Sequence, residues 1–219
     1  MSVLLAISRT FLRLNNCFCR RETRPPDSAR YISKLETPTL ALEVAFFGGA
    51  EKAGSANPEE TQVVARCLKK ANCYVPKSPW IETWTKSFGD LTMPSGAWNG
   101  IKLVEIHGNR AFLGISNHLM EIDIESGRPK WSVVTGNTPV YQVMSSQNGE
   151  NLIVFNGGNI VAIDFTGNEI WRSELPSEDD FFANPPYFDE GTLKSASWKG
   201  FTCSIDQRTG KILEREFTK

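Results

Sequence analysis

The sequence lacks a strong excess of either charge, and it lacks a long apolar run. Its 219 residues include 24 Lys and Arg against 25 Asp and Glu, which gives a formal net charge of −1. A nucleic-acid-binding domain typically carries clustered basic residues, so this balance predicts no nucleic-acid partner. No stretch approaches the roughly 20 consecutive apolar residues that cross a bilayer, which predicts no membrane span.

Residues that commonly carry metal or nucleophilic chemistry are also scarce. His107 and His118 are the two histidines, and the five cysteines include no C-x-x-C pair, so no zinc site of ordinary spacing is expected. The sequence contains no G-x-S-x-G, H-E-x-x-H, Walker or G-x-G-x-x-G motif. We therefore predict no catalytic, metal-binding or cofactor-binding residues. The cysteines are expected to be reduced or incidental thiols, with a local Cys67–Cys73 bridge as the alternative.

Residues 1–30 are predicted to be a disordered leader or a targeting segment. Arg9, Arg13, Arg20 and Arg21 precede the first acidic residue, Glu22, and apolar residues recur among them at helical spacing. This composition is typical of a mitochondrial transit segment. An unstructured leader and a start codon placed too far upstream are the alternatives, and the bacterial cytoplasm is the alternative location, so the compartment stays open.

Residues 31–79 are predicted to add one strand and one helix. Apolar side chains alternate from Leu40 to Phe46 and predict a half-buried strand over residues 40–46. Residues 58–71 predict a helix, because Pro58 suits the first helical position and an apolar stripe follows. Cys67 lies on that stripe and is expected to be packed rather than reactive.

A short phrase recurs three times, as "IDIESGRPKW", "IDFTGNEIW" and "IDQRTGKIL". Asp123, Asp164 and Asp206 are spaced by 41 and 42 residues. Each phrase ends an alternating apolar strand and runs from Asp to Gly, which is the chemistry of a hairpin turn, before a second strand returns. A period of about 40 residues is the size of one four-stranded propeller blade, so residues 80–219 are predicted to form a repeat module.

The phrase resembles the repeat of quinoprotein-type, or PQQ-like, β-propellers, which is roughly A-x-D-x-x-T-G-x-x-x-W. The copies depart from it at Glu121, Ser126, Ser204 and Leu213, where the motif has Ala, Thr, Ala and Trp, and the second copy is one residue short. The resemblance implies a structural role in the repeat for eight residues: Asp123, Gly127, Trp131, Asp164, Gly167, Trp171, Asp206 and Gly210. It also implies that the tryptophans pack between blades. A quinoprotein dehydrogenase has more blades, an adjacent cysteine pair and calcium ligands, so no quinone cofactor is expected.

The predicted fold is therefore mainly β, with three to four four-stranded propeller-like blades and one N-terminal helix. Trp84 marks the last strand of an earlier, incomplete copy. Three arrangements would protect the open sheet edges, which otherwise recruit other chains. The strand at residues 40–46 completes a fourth blade, the helix caps an open sheet, or a second chain closes the array by self-association.

An acidic and aromatic segment follows the second copy of the phrase. Aromatic side chains supply contact area and acidic ones supply orientation, so the segment is a candidate contact surface for a protein partner. The alternative is a solvated loop between blades. The candidate residues are Glu178, Asp179, Asp180, Phe181, Phe182, Tyr187, Phe188, Asp189 and Glu190.

The sequence thus predicts a non-enzymatic, propeller-like module that binds or scaffolds a protein partner. An immunity-type or neutralising bacterial protein is one alternative, suggested by the final residues. An enzyme acting on a small molecule or glycan in a central cleft is the other, and it requires converging polar groups with perturbed pKa values.

Overall fold

The computed structural model describes residues 31–36, 40–47, 62–70, 80–88 and 102–218. These residues form sixteen strands in four antiparallel sheets of four strands each, and they contain no helix. The strands of each sheet are hydrogen-bonded in chain order, as in a propeller blade. The predicted mainly β fold with three to four four-stranded blades is confirmed. Within these ranges, no helix is long and apolar enough to cross a membrane.

The blades are numbered I to IV along the chain. Blade I contains β1 (Tyr31–Glu36), β2 (Leu40–Phe47), β3 (Gln62–Lys70) and β4 (Trp80–Phe88). Blade II contains β5 (Val104–His107), β6 (Arg110–Ile115), β7 (His118–Asp123) and β8 (Pro129–Val134). Blade III contains β9 (Gln142–Ser145), β10 (Asn151–Phe155), β11 (Ile160–Asp164) and β12 (Glu169–Arg172). Blade IV contains β13 (Tyr187–Asp189), β14 (Thr192–Ala196), β15 (Phe201–Ile205) and β16 (Ile212–Phe217).

The predicted helix over residues 58–71 is wrong, because residues 62–70 form β3. This strand lies between β2 and β4, and Cys67 is paired with Leu42 on one side and Trp84 on the other. Its two faces are both buried, so apolar residues are not confined to alternate positions and also fit a helical stripe. The predicted strand at residues 40–46 is β2, and it completes the fourth blade.

The hydrophobic core lies between the blades. One buried cluster joins blades I, II and III and includes Phe112 and Val154. A second cluster joins blades III and IV and includes Phe155 and Cys203. Cys67 in the first cluster and Cys203 in the second are free thiols, and burial raises the pKa of each. The blades are therefore held together mainly by apolar packing of sheet against sheet.

A tryptophan near each of the first three blade boundaries contacts the hairpin turn of the following blade. The indole Nε1 of Trp84 donates to the carbonyl of Ile124 at 2.7 Å, and that of Trp171 donates to the carbonyl of Gln207 at 2.8 Å. Trp131 makes the equivalent bond to Phe165 at 3.2 Å. We call the face of a blade that carries its tryptophan the forward face. The position of each forward face against the next blade is thus fixed by an indole hydrogen bond as well as by apolar packing.

A glycine without a side chain lets each indole approach its turn closely. Gly127 has a φ of +68°, and a Cβ there would lie 2.6 Å from Cδ2 of Trp84. The equivalent closest approaches to the preceding tryptophan ring are 3.1 Å at Gly167 and 2.6 Å at Gly210. Both the left-handed backbone and the contact with the ring therefore require glycine at this position of the repeat.

The boundary between blades II and III adds an ionic network around one buried carboxylate, whose cationic partners Arg110 and Lys130 are partly exposed. Glu121, whose side chain is 3% exposed, accepts from Arg110 Nε at 3.0 Å, Lys130 Nζ at 3.1 Å and Trp131 Nε1 at 2.8 Å. The Arg110 guanidinium lies 5.2 Å from the ring centroid of Phe165, which belongs to blade III. Burial opposes ionisation of Glu121, but the bonds from Arg110 and Lys130 outweigh it and lower the pKa. Glu121, where the motif has Ala, therefore binds the two blade II side chains, Arg110 and Trp131, that contact Phe165 of blade III.

In blade IV the tryptophan position of the repeat holds Glu214, which corrects the placement of Leu213 there. Trp131 pairs with Glu121 and Trp171 pairs with Ala162, and the equivalent residue of β15, Ser204, pairs with Glu214. The same register shift occurs at this point in blades II, III and IV, and it leaves Lys130, Ile170 and Leu213 without Cα partners. The register places nine residues on the forward face of blade IV, and all but Ala196 carry a polar group: Tyr187, Asp189, Thr192, Lys194, Ala196, Thr202, Ser204, Glu214 and Glu216.

The aspartate of each repeat closes its hairpin turn with short hydrogen bonds. Oδ1 of Asp164 accepts from the Thr166 amide at 2.7 Å and from the Asn168 amide at 2.9 Å. Asp123 and Asp206 accept equivalent bonds in their own turns. Partial burial opposes ionisation of Asp164, but the bonds from Thr166 and Asn168 outweigh it and lower the pKa to about 2.

We predict that Gly127→Ala destabilises the protein more than Gly108→Ala does. Both glycines have positive φ, but a Cβ at Gly108 meets nothing within 4 Å, whereas one at Gly127 meets the Trp84 ring. The backbone strain common to both variants costs about 1 kcal/mol, and displacement of the indole adds about 1–3 kcal/mol. Urea unfolding of both variants measures the difference. Equal losses would show that the ring does not constrain the turn.

We also predict that Asp164→Asn reduces the acid sensitivity of folding. The folded-state pKa of about 2 lies below the usual 3.8, so the carboxylate stabilises the fold above pH 4 and loses that contribution as the pH falls towards 2. The difference in unfolding free energy between wild type and variant should therefore shrink from pH 4 to pH 2 in denaturant titrations. A constant difference over that range would contradict a carboxylate-dependent turn.

Candidate interaction surface

The predicted contact segment begins with a tight turn that is fixed by a buried carboxylate. Residues 177–180 form the turn, in which the Asp180 amide donates to the Ser177 carbonyl at 3.2 Å and Asp179 has a φ of +57°. Asp180 is 2% exposed, and its Oδ1 accepts from the amides of Phe181 at 2.9 Å and Lys199 at 3.1 Å. One carboxylate thus holds the segment against the β14–β15 turn.

Further bonds join the same two pieces of chain. Phe182 forms an antiparallel bridge with Ser197, and the Trp198 amide donates to the Phe181 carbonyl at 2.9 Å. Lys199 Nζ donates to the Glu178 carbonyl at 2.7 Å. Burial opposes ionisation of Asp180, but hydrogen bonds from Ser197 and from the amides of Lys199 and Phe181 outweigh it and lower the pKa. Asp180 therefore carries its charge beneath the loop.

Two aromatic rings project from this fixed base. Phe181 and Trp198 stack with ring centroids 5.8 Å apart and ring planes 13° from parallel. Phe181 is 40% exposed and Trp198 is 64% exposed. Glu178, Asp179 and Lys199 are exposed beside them in the sequence. We call these five residues, Glu178, Asp179, Phe181, Trp198 and Lys199, the aromatic surface.

The structure divides the predicted contact residues into three groups. Glu178, Asp179 and Phe181 belong to the aromatic surface. Asp180 and Phe182 are buried beneath it, and Phe188 packs against the same core cluster as Phe182. Tyr187, Asp189 and Glu190 are exposed on β13 and its following turn, where Asp189 pairs with Lys194 at 2.7 Å. Because the five residues of β14 separate that turn from Trp198, the turn lies roughly 15 Å from Trp198, whereas Tyr187 is opposite Lys194 in the middle of β14.

Trp198 belongs to the surface but was not among the predicted contact residues. It lies in the turn between β14 and β15, away from the tryptophan position of the repeat. The signal in the sequence is the phrase "SASWKG", in which a large aromatic residue stands in a polar turn rather than in a strand.

A cleft lies between turns of blades III and IV. This cleft has a volume of about 310 Å³ and is lined by Asn148, Glu150, Asn151, Ile170, Gln207 and Arg208. Asn148 Nδ2 donates to Glu150 Oε2 at 2.7 Å, so the acid is already paired. Elsewhere, His107 stacks on Phe165 with centroids 4.5 Å apart. Over the described ranges, no group of three or more His, Cys, Asp or Glu residues is arranged to hold a metal ion.

Comparisons with known proteins match parts of this architecture. A family model described as a domain of unknown function (DUF7957) matches residues 139–217, which contain blades III and IV. Comparison with curated proteins finds no match.

Solved structures similar to the chain include one natural and two designed proteins. BamB from Moraxella catarrhalis is 12% identical, with a TM-score of 0.49 over 85% of this chain and 63% of that one. The computationally designed Ika8 protein is 12% identical, with a TM-score of 0.47 over 86% of this chain and 62% of that one. The designed Ika4 protein is 16% identical, with a TM-score of 0.45 over 57% of this chain and 77% of that one. The chain thus spans less than two thirds of the length of BamB.

We predict that Asp180→Asn loosens the base of the aromatic surface, whereas Asp179→Asn does not. The first change removes a buried charge that accepts two backbone amides and should cost about 2 kcal/mol. The second alters an exposed residue at positive φ, where Asn is well tolerated. Hydrogen exchange should accelerate at the amides of Phe181 and Lys199 only in the Asp180 variant. Equal protection in both variants would show that the carboxylate does not hold the loop.

Proposed function

We propose that the chain is a non-enzymatic, propeller-like module that binds a protein partner through the aromatic surface. The observation that carries this proposal is the stacked pair of Phe181 and Trp198, which stays exposed although the neighbouring Phe182 is fully buried. Large aromatic side chains dominate the binding energy of protein interfaces, and tryptophan is enriched among the residues that contribute most.

The rigidity of the base supports the same proposal. Binding costs free energy when loops and side chains must be ordered, and that cost falls when the surface is ordered before the partner arrives. Here the segment and the β14–β15 turn are joined by the Asp180 carboxylate, by the bridge between Phe182 and Ser197, and by the Trp198 amide. The two rings are therefore presented by a preorganised scaffold.

The exposed polar residues complete the pattern of an interface. Glu178, Asp179 and Lys199 are exposed and adjoin the two rings in the sequence, and such polar groups are typical of the rim of an interface. The second exposed group of predicted contacts, Tyr187, Asp189 and Glu190, lies on β13 and the turn that follows it. It therefore forms a separate candidate that the same experiment can distinguish.

We predict that the double variant Phe181→Ala, Trp198→Ala loses the protein partner in affinity purification from native cells. The variants for comparison are Leu213→Ala, which truncates a 67% exposed side chain elsewhere on blade IV, and Tyr187→Ala, which tests the second group. Quantitative mass spectrometry should find a set of proteins that is captured by wild type and by both comparison variants but not by the double variant.

Thermal unfolding controls for the integrity of each variant. The double variant should keep a cooperative transition with a modestly lower melting temperature, because Trp198 is 64% exposed but Phe181 is only 40% exposed. Capture of the same proteins by the double variant would reject the aromatic surface. Loss confined to Tyr187→Ala would assign the contact to β13 and would also reject it.

A further inference from the structure

The aromatic surface carries an excess of negative charge. Glu178 and Asp179 precede Phe181 by three and two residues and are exposed. Asp180 adds a third carboxylate, buried directly beneath the rings. The single cation of the surface, Lys199, donates from Nζ to the backbone carbonyl of Glu178. The field at the two rings therefore favours a positively charged occupant.

The protein already uses one combination of aromatic ring, carboxylate and guanidinium, in which the Arg110 side chain is 34% exposed. At the boundary of blades II and III, Arg110 lies 5.3 Å from the Phe112 centroid and 5.2 Å from the Phe165 centroid. The same guanidinium pairs with the Glu121 carboxylate. A planar guanidinium can stack on a ring and donate to an acid at the same time, which a lysine ammonium does less well.

We infer that the protein partner presents an arginine-bearing basic segment, whose guanidinium stacks on the exposed face of Trp198 and pairs with Glu178 or Asp179. This inference rests on the proposed function, since it specifies the chemistry of the segment that the aromatic surface binds. The surface supplies the ring and the carboxylates, and the partner supplies the guanidinium. Tryptophan is the best of the aromatic rings for such a contact, and at 64% exposure it is accessible.

The test uses the full chain labelled with ¹⁵N and three short peptides. The probe is acetyl-Gly-Arg-Gly-Arg-Gly-amide, and its matched controls replace both arginines by lysine or by uncharged citrulline. The indole N–H signal of Trp198 is identified by its loss in Trp198→Ala. We expect the arginine peptide to shift that signal in a saturable manner, more strongly than the lysine peptide, with no saturable shift from the citrulline peptide.

Two variants assign the effect to the ring and to the charges. Followed by the backbone amide signals of Phe181 and Lys199, which every variant retains, Trp198→Ala should weaken binding of the arginine peptide about threefold to fivefold, the range of an exposed cation–π contact. Glu178→Gln combined with Asp179→Asn preserves shape, and it should weaken binding and reduce its dependence on salt. Leu213→Ala should bind as wild type does. Equal binding of the citrulline peptide, equal binding of the lysine peptide, or unchanged binding by Trp198→Ala would overturn the inference.

Failure here is distinguishable from failure of the proposed function. Partner capture that depends on Phe181 and Trp198, together with no response to the arginine peptide, would retain the protein-binding surface and reject a basic segment. If the variants that lack Trp198 still bind both the protein partner and the arginine peptide, the proposed function and this inference are both rejected.

Discussion

The contact between an indole ring and a turn glycine is the constraint on which the rest of the architecture depends. Each blade is a four-stranded sheet with two faces to cover, and a lone sheet of this size cannot bury both. Trp84, Trp131 and Trp171 each cover a glycine of the next blade and donate to a carbonyl in the same turn. Because apolar packing alone is not directional, the indole bond fixes the register between successive blades. Asp and Gly must then recur at a constant distance from the tryptophan, and this requirement produces the period of the sequence.

That same constraint explains which features were predictable from sequence. The turn residues Asp, Gly and Trp carry local chemistry, so their spacing alone indicated strands, hairpins and the blade period. The helix at residues 58–71 was wrong because β3 is buried on both faces, and only its pairing with β2 and β4 distinguishes it from an apolar helical stripe. Leu213 was placed one residue early because it was aligned by its apolar character, although the four-residue spacing from Gly to Trp in the first two copies gives position 214 after Gly210. In the candidate site, Phe181 was found but Trp198 was not, since the contact between them joins two segments that are 17 positions apart.

The last blade shows what happens where the repeat has no successor among the described residues. Glu214 occupies the tryptophan position, and the forward face around it is built from hydroxyl and charged side chains. Charges on an outer strand discourage pairing with another chain. In two-fold antiparallel pairing of β16 with a second copy, a register that places Arg215 opposite itself also places Glu214 opposite Glu216, and like charges in that position are unfavourable. Self-association through this edge, which the open sheets suggested, is therefore opposed by the sequence of the strand itself.

The forward face of blade IV is polar, whereas the aromatic surface of the same blade keeps two exposed apolar rings. Blade IV replaces an indole by a carboxylate at Glu214 yet keeps Trp198 and Phe181 exposed on a loop held by a buried charge. Keeping Asp180 ionised while nearly excluded from water costs stability unless its hydrogen bonds offset the loss of hydration. An apolar residue at that position would avoid the cost but would leave the amides of Phe181 and Lys199 without their acceptor. The buried carboxylate is therefore better explained by the need to fix the position of two exposed rings than by the stability of the blade.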